Sequence, residues 1–132
     1  MTALVPVEAA LETRICEMVF PEQANHYGTL FGGTALSLMG KAAFIAASRH
    51  ARGAVVMATS EKVAFHHPVA VGQLVEFYAF VTREGRASMT VEVEVTCETL
   101  TTGERSQAMK GRFEMVAVDS RGKPKAFRTP AS

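Results

Sequence analysis

Hydrophobic and polar residues alternate along most of the second half of the chain, and this period of two predicts β-strands. The segment Arg86–Thr99 shows the pattern most clearly, because its apolar side chains fall on one face. The apolar face comprises Met89, Val91, Val93, Val95 and Cys97, and the polar face comprises Ser88, Thr90, Glu92, Glu94 and Thr96. Further strands are predicted over Ala54–His67, Gln73–Glu84 and Arg105–Asp119.

A strand and a helix are predicted before these segments. Thr13–Phe20 is rich in β-forming residues and predicts a strand with Cys16, Met18 and Phe20 on one side. Gly33–His50 is rich in alanine and predicts a long helix, since basic residues and a glycine close it.

The order of these elements predicts the architecture. The connections after the helix are short and turn-like, so the strands are expected to be antiparallel neighbours. A helix with small-residue faces is best covered by one curved antiparallel sheet, which gives an α+β domain. We predict a flexible N-terminus over residues 1–10, a single domain over residues 11–127 and a flexible tail over residues 128–132.

Composition narrows the class of protein. The 132 residues suit one domain, and a formal net charge of +1 gives no reason to expect a nucleic-acid partner. The segment Leu30–Ala47 carries Lys41 as its single charge, but its glycines and alanines favour a buried helix over a membrane span. Two cysteines without metal-ligand spacing, and no secretory signal, predict a reduced, cytoplasmic compartment.

Two common kinds of site do not fit the sequence. A phosphate-binding loop needs four residues between its glycines and a serine or threonine after its lysine. Here six residues separate Gly33 from Gly40, and an alanine follows Lys41. His66 and His67 are adjacent in a predicted strand, so their side chains are expected on opposite faces, where they would not share a metal. We therefore predict neither a metal nor a cofactor.

The junction Phe31-Gly32-Gly33, at the start of the predicted helix, is a candidate reactive site. Free N–H groups at a helix start, together with the helix dipole, stabilise developing negative charge. The glycines also have a conformational explanation, namely a tight entry into the helix. Asn25, in the preceding loop, either positions a water or carbonyl or closes an ordinary Asx turn. Both interpretations stay open on the sequence.

Several segments taken together resemble the hotdog-fold acyl-CoA thioesterases of the YciA and cytosolic acyl-CoA hydrolase type. The resemblance covers about residues 11 to 127 and is carried by "NHYGTLFGG", "FHHPVAVG" and "VAVDSRGKP". These match a loop Asn and Gly, a Phe-Gly-Gly helix entry, Phe-x-x-Pro-Val-x-x-Gly and Val-x-x-Asp-x-x-Gly-Lys-Pro. The resemblance implies a helix inside a curved sheet, paired into homodimers that often assemble as trimers of dimers.

The resemblance also implies roles for individual residues. It makes Asn25 the active-site asparagine, and it makes Gly33 the residue whose N–H polarises the thioester carbonyl. The residues that it implies for substrate binding are Gly32, Arg86, Ser88 and Lys123. The catalytic aspartate of the family would stand at Gly40, which leaves the acid of the reaction unassigned.

Three explanations for Gly40 are open. The protein is a divergent thioesterase, a relative that binds acyl-CoA without hydrolysing it, or an altered chain whose parent had the acid. Glu61 is a candidate substitute if it lies on a mostly apolar strand face. That face would comprise Met57, Thr59, Glu61, Val63 and Phe65. A register shifted by one residue, or pairing with a nearby cation, would exclude this role.

The spacing of the candidate residues predicts a site shared by two subunits. Position 40 lies two helical turns after Gly33 on nearly the same face, roughly 10 Å along the axis. One carbonyl group cannot contact both, so a second subunit must bring its helix alongside. We predict a homo-oligomeric acyl-CoA thioesterase that releases a free acid and coenzyme A. The alternatives are a non-hydrolytic acyl-CoA-binding protein and a hotdog dehydratase, for which only His26 would qualify.

Overall fold

The computed structural model describes residues 4–7 and 11–126 of the chain. This part contains one α-helix and six strands. The strands are β1 (Val5–Pro6), β2 (Thr13–Met18), β3 (Val55–Phe65), β4 (Leu74–Glu84), β5 (Ser88–Glu98) and β6 (Arg105–Ala117), and the helix is α1 (Gly32–Ala51). The predicted α+β class is confirmed, and every predicted helix and strand is present with bounds shifted by at most two residues at each end.

The six strands form one antiparallel sheet in the order β1-β4-β5-β6-β3, and β2 also pairs with β4. The prediction that consecutive strands are neighbours is correct for β4, β5 and β6 but wrong for β3 and β4, because β3 pairs with β6. The link from β3 to β4 passes beside the loop that precedes the helix. There the N–H of Leu30 donates to the carbonyl of Val69 at 2.7 Å, and Thr29 forms a bridge with Ala70.

The core lies between one side of the helix and the sheet. The predicted apolar face of β5 is confirmed, since its five side chains are at most 1% exposed. The helix meets the sheet through small side chains, which allow a close approach. Its buried residues are Ala35, Met39, Ala42, Ala43, Ala46, Ala47 and Ala51.

The opposite side of the helix is not covered by the sheet. Leu36 is 40% exposed and Phe44 is 47% exposed, although both are large and apolar. Among residues 4–7 and 11–126, no helix is long and apolar enough to cross a membrane.

Residues 4–7, part of the segment predicted to be a flexible N-terminus, lie against the sheet. Val5 and Pro6 pair with Glu84 and Arg83 of β4, and the N–H of Val7 donates to a β4 carbonyl at 2.9 Å. Residues 1–3 and 8–10, and the tail predicted over residues 128–132, lie outside the described residues.

The apolar face predicted for β2 is the exposed one. Cys16 and Met18 are exposed, whereas Thr13 is only 4% exposed. On the inward face Ile15 packs against the core, and Arg49, near the end of the helix, donates from its guanidinium to the Thr13 hydroxyl at 3.0 Å. β2 thus has its Thr13 side towards the helix.

Candidate active site

The loop before the helix closes around Asn25. Its Oδ1 accepts hydrogen bonds from the N–H of Tyr27 at 2.9 Å and from the N–H and hydroxyl of Thr29 at 3.2 and 3.1 Å. Gly28 takes a φ of +79°, which favours glycine and permits the tight turn. Asn25 therefore closes an Asx turn. Its Nδ2 amide has no acceptor in the described part of the chain and remains available to donate.

The helix begins directly after this loop without a side-chain cap. Phe31 occupies the cap position in an extended conformation, and the first turn holds no acidic residue. The first helical hydrogen bond runs from the N–H of Ala35 to the carbonyl of Phe31 at 3.0 Å. The N–H groups of Gly32, Gly33 and Thr34 therefore have no acceptor in the helix. They form the positive end of the helix dipole, where developing negative charge is stabilised.

Gly33 also has a packing role, because the ring of Phe31 lies against it. A Cβ at Gly33 would lie 2.7 Å from Cε2 of Phe31, which is closer than carbon atoms approach. A Cβ at Gly32 would meet nothing within 4 Å. A side chain at Gly33 would therefore displace the exposed Phe31 ring, whereas one at Gly32 would not, and neither glycine has a positive φ.

An apolar cleft of about 240 Å³ opens beside the helix start. Gly32 lines it on the helix side, and the end of β3 and the link that follows line it on the other. Its apolar walls include Leu30, Ala35, Phe65, Val69 and Met109. Open N–H donors thus lie at the edge of a cavity that suits an apolar group.

His66 and His67 also line this cleft, and both follow the last residue of β3, so the strand alternation behind the prediction of opposite faces does not extend to them. The N–H groups of both residues donate to the carbonyl of Ala108, at 2.8 and 3.1 Å, so the backbone has left the regular extended form. Sequence reasoning treated the pair as ordinary strand-end residues. The signal that could have found it is Pro68, which ends the strand beside the helix start.

Across the residues that the structure describes, no group of three or more His, Cys, Asp or Glu side chains is placed to hold an ion.

Gly40 lies half-buried beside β3, on the side of the helix that the sheet leaves open. A Cβ at Gly40 would meet only Cε of Met57, at 3.2 Å, and Met57 is itself 44% exposed. The sequence of α1 contains no Asp or Glu from Gly32 to Ala51. The helix therefore brings no carboxylate of its own to this face.

The strand face predicted to hold Met57 and Glu61 together does not form. Two register shifts interrupt the pairing of β3 with β6. Met57 lies opposite Met115, which is buried, and Glu61 lies opposite Arg112. Because Met115 and Arg112 are three residues apart on β6, they point to opposite faces of the sheet. One of the two shifts, between Met57 and Thr59, adds a residue to the alternation and so places Glu61 on the outer face, away from the helix.

The residues expected to bind coenzyme A lie at the other end of the helix. Arg86 is exposed and Ser88 begins β5. The N–H of Ala117 donates to the carbonyl of Ala87 at 2.7 Å. Ala117 and Ala51, the last residue of α1, line one small cleft. Arg86 and Ser88 are thus placed near the C-terminal end of α1.

Lys123 lies at the same end, in a tight turn that follows β6. Oδ1 of Asp119 accepts hydrogen bonds from the N–H of Lys123 at 3.0 Å and from the N–H of Arg121 at 2.8 Å. These two hydrogen bonds lower the pKa of the Asp119 carboxyl below its usual value, and the one from Lys123 has the larger effect. The turn leaves the Lys123 side chain exposed.

The helix separates the two groups of candidate residues. Asn25, Gly32 and Gly33 are at its N-terminal end, and Arg86, Ser88 and Lys123 are near its C-terminal end. A helix of 20 residues is about 30 Å long. A single subunit therefore does not bring all the predicted site residues together.

The chain matches known proteins both in sequence and in fold. The sequence model of the thioesterase superfamily matches residues 27–104. The chain is 40% identical over 121 residues to the uncharacterised acyl-CoA thioester hydrolase YkhA of Bacillus subtilis, a match over 86% of this chain and 70% of that protein. It is similar to an apo-hexameric acyl-CoA thioesterase with a TM-score of 0.85 and 42% identity, over 87% of this chain and 74% of the other.

A second similar protein has been solved both with ligands and as variants. The acyl-CoA hydrolase of Staphylococcus aureus, in complex with butyryl coenzyme A, coenzyme A and coenzyme A disulfide, matches with a TM-score of 0.83 and 32% identity. The match covers 87% of this chain and 70% of that one. The same hydrolase has been solved with an asparagine or an aspartate replaced by alanine, and those two positions are fifteen residues apart. By sequence match, by structural likeness and by its helix inside an antiparallel sheet, the chain belongs to the thioesterase superfamily and has the hotdog fold.

Proposed function

We propose that the protein is an acyl-CoA thioester hydrolase, which converts a thioester and water into a carboxylic acid and free coenzyme A. The observation that carries the proposal is the uncapped helix start, where the N–H groups of Gly32, Gly33 and Thr34 lack helical acceptors and Gly32 lines an apolar cleft. An acyl chain in the cleft would bring its carbonyl oxygen to these donors. The similar proteins bear the same activity in their names.

The chemistry of a thioester suits this arrangement. Its leaving group is a thiolate whose conjugate acid has a pKa of about 8.5 by analogy with cysteine, so it departs with little assistance. The remaining demands are a nucleophile and stabilisation of the oxyanion. Fixed N–H donors meet the second demand, and one such donor is typically worth about 10²–10³-fold in rate. The Nδ2 amide of Asn25 adds a donor for the carbonyl or for water.

A second copy of the chain completes the site in this proposal. In the described residues β3 pairs on one side only, with β6, so its other edge offers unpaired backbone groups. Large apolar side chains surround that edge and the neighbouring helix face: Leu36, Phe44, Val56, Met57 and Phe65 are each at least 40% exposed. Association through this surface would bring the Arg86 end of one subunit towards the Asn25 end of its partner. The functional unit is then a homodimer.

A hexamer built as a trimer of dimers is the assembly that we propose for the whole protein. Two of the similar structures are described as hexameric. Coenzyme A would lie across the dimer interface, with Gly32 at its acyl end. Arg86, Ser88 and Lys123 would contact its phosphate groups, since Arg and Lys form charge-assisted hydrogen bonds with phosphate oxygens.

Gly40 is proposed to stand where the relatives carry an aspartate. The fifteenth residue after Asn25 is Gly40, which reproduces the interval between the asparagine and the aspartate of the Staphylococcus aureus hydrolase. Glu61 faces away from the helix and does not fill the gap from within the same subunit. The attacking water must then be activated by another group.

Release of free thiol from a panel of acyl-CoAs tests the function. Turnover of at least one acyl-CoA, with a linear dependence on enzyme concentration, is the expected result. Coenzyme A binding without thiol release would instead identify a non-hydrolytic acyl-CoA-binding protein. The variant Asn25→Asp sharpens the test, because it keeps the Oδ acceptor of the turn and removes the amide donor. We expect it to fold and to lose about 10²-fold in rate.

A reduced compartment, the cytoplasm, is proposed as the location. Cys16 is exposed and Cys97 is buried, and both are free thiols. An exposed free thiol is typical of proteins in a reducing environment.

A further inference from the structure

The reaction proposed above needs a group that takes a proton from the attacking water, and this chain lacks the carboxylate expected at Gly40. We propose that the pair His66 and His67 supplies that general base. The inference rests on the proposed function and assigns a catalytic role within the same site.

The position of the pair carries the proposal. His66 and His67 line the apolar cleft together with Gly32, at the start of the helix. Among the described residues that form this cleft, they are the only ones with an ionisable side chain. A base must lie within hydrogen-bond reach of the water that attacks the carbonyl, either directly or through one further water. If the carbonyl is held at the helix start, no other side chain lining the cleft can accept the proton at neutral pH.

The backbone holds the two residues in place. Both N–H groups donate to the carbonyl of Ala108 on β6, at 2.8 and 3.1 Å. Two residues further on, the carbonyl of Val69 accepts a hydrogen bond of 2.7 Å from the N–H of Leu30. Leu30 directly precedes Phe31, the cap residue of the helix. The histidines are therefore tied to both β6 and the loop that carries Asn25. A general base gains from such fixed placement.

The side chains are available for the task. Over residues 4–7 and 11–126, neither imidazole has a hydrogen-bond partner, and both residues are exposed. Histidine is the side chain that gains and loses a proton most readily between pH 5 and 8, and in its neutral form one ring nitrogen accepts. Each ring can therefore bind a water at the mouth of the cleft.

The step balances without a further reactant. An imidazole nitrogen takes a proton from water while the water oxygen forms a bond to the acyl carbon. The carbonyl oxygen becomes an oxyanion at the N–H groups of the helix start. Collapse of this intermediate breaks the C–S bond, and the imidazolium returns its proton to the departing sulfur. One water is consumed, and a carboxylic acid and a thiol are formed.

The test is made with the whole protein and the acyl-CoA that it hydrolyses fastest. We expect the double variant His66→Ala/His67→Ala to lose about 10²–10⁴-fold in kcat, with coenzyme A affinity changed less than about threefold. The control is Arg14→Ala, since Arg14 lies exposed on the outer side of β2, where it pairs with Glu76, and does not line the cleft. The single variants show which of the two rings carries the role.

Chemical rescue separates a lost base from a disturbed fold. Free imidazole added to the double variant should restore part of kcat, and it should leave the control unchanged. Adding Gly40→Asp to the double variant should also restore activity, because it returns the carboxylate that the histidines replace. A double variant that binds coenzyme A and keeps the full kcat overturns the role of the histidines while the thioesterase function stands. If the unaltered protein releases no thiol from any acyl-CoA, the proposed function itself fails.

Discussion

Strands β5 and β3 have 11 residues each, yet their surroundings differ completely. β5 lies between β4 and β6, and every side chain on its inner face is buried. β3 pairs with β6 alone within the described chain, and most of its residues are exposed. β5 keeps strict alternation along its inner face, whereas β3 contains two register shifts and a non-glycine residue, Lys62, with a φ of +54°.

The difference shows that one subunit contains a completed half and an open half. The completed half is the sheet around β5, which supplies the hydrophobic core. The open half is β3 with the uncovered face of the helix, and it holds Gly40 and the apolar groups proposed to meet a second subunit. Folding stability depends on the first half, and the proposed chemistry depends on the second.

Replacing a phenylalanine by alanine in each half should give the largest contrast. Phe77 on β4 is fully buried, so Phe77→Ala should lower the free energy of unfolding by about 3–5 kcal/mol. Phe65 on β3 is 57% exposed, so Phe65→Ala should change the fold little and should weaken self-association. Urea unfolding at a fixed protein concentration and sedimentation over a range of concentrations measure the two effects. Equal destabilisation by both variants, with unchanged association, would contradict the division into halves.

A methyl group added to a glycine in each half should give a smaller contrast. A Cβ at Gly111 would lie 2.9 Å from Cε of Met39 and 3.2 Å from Cγ2 of Val63, inside the covered core. Gly111→Ala should therefore cost about 1–3 kcal/mol. A Cβ at Gly40 would meet only the exposed Met57 side chain, so Gly40→Ala should be neutral or should stabilise by up to about 1 kcal/mol. Thermal unfolding of the two variants checks the order, and a more stable Gly111→Ala would contradict it.

A variant of Arg86 tests whether the completed half also binds coenzyme A. Arg86→Ala should raise the dissociation constant for coenzyme A about tenfold, or about 1.4 kcal/mol, because a charge-assisted contact with phosphate is lost. The salt dependence of binding should become shallower at the same time. Arg14→Ala is the control, since Arg14 is paired with Glu76 on the outer side of β2 and β4. Calorimetric titration at two ionic strengths measures both, and an unchanged affinity would exclude Arg86 from the site.

The turn at Asp119 should give the smallest effect, a pH-dependent one. Because the folded-state pKa of Asp119 is lowered, its contribution to stability is present above the unfolded value of about 3.9 and is lost as the pH falls through the lower folded value. Asp119→Asn keeps an oxygen acceptor for both N–H groups but does not titrate. Urea midpoints measured from neutral to acid pH should show this part of the acid dependence in the unaltered protein and not in the variant. Identical profiles would remove Asp119 from the acid response.

The completed half could be predicted from the sequence almost entirely. β5 and its two neighbours follow one another along the chain through short turns, so the partners of each residue are encoded close by. A strand covered on both sides must bury a whole face, and the alternation of Val91, Val93 and Val95 reveals that face directly.

The open half could not be predicted in the same way, for two physical reasons. The first is the β-bulge, which shifts register without a sequence signature and moved Glu61 to the outer face. The second is pairing across the chain: β3 adjoins β6 instead of β4, and His66 and His67 meet in one cleft through a single carbonyl of β6. Neither the residue types nor their spacing reveals which distant segments of the chain lie side by side. The inward side of β2, with Thr13 and Ile15, likewise meets partners that lie far away in the sequence, among them Arg49.

The uncapped start of the helix links the supply of substrate to the lifetime of the folded protein. A serine or aspartate cap would typically be worth about 0.5–2 kcal/mol, and Phe31 provides none. In the proposed reaction the thioester carbonyl acts as a temporary cap. Because the acyl-CoA binds only the folded protein, it stabilises the fold by about 2.7 kcal/mol at a concentration one hundred times its dissociation constant. Each turnover removes that cap. Resistance to heat and to proteolysis should thus rise when acyl-CoA is plentiful and fall when it is exhausted, so that the abundance of the enzyme follows the pool that it consumes.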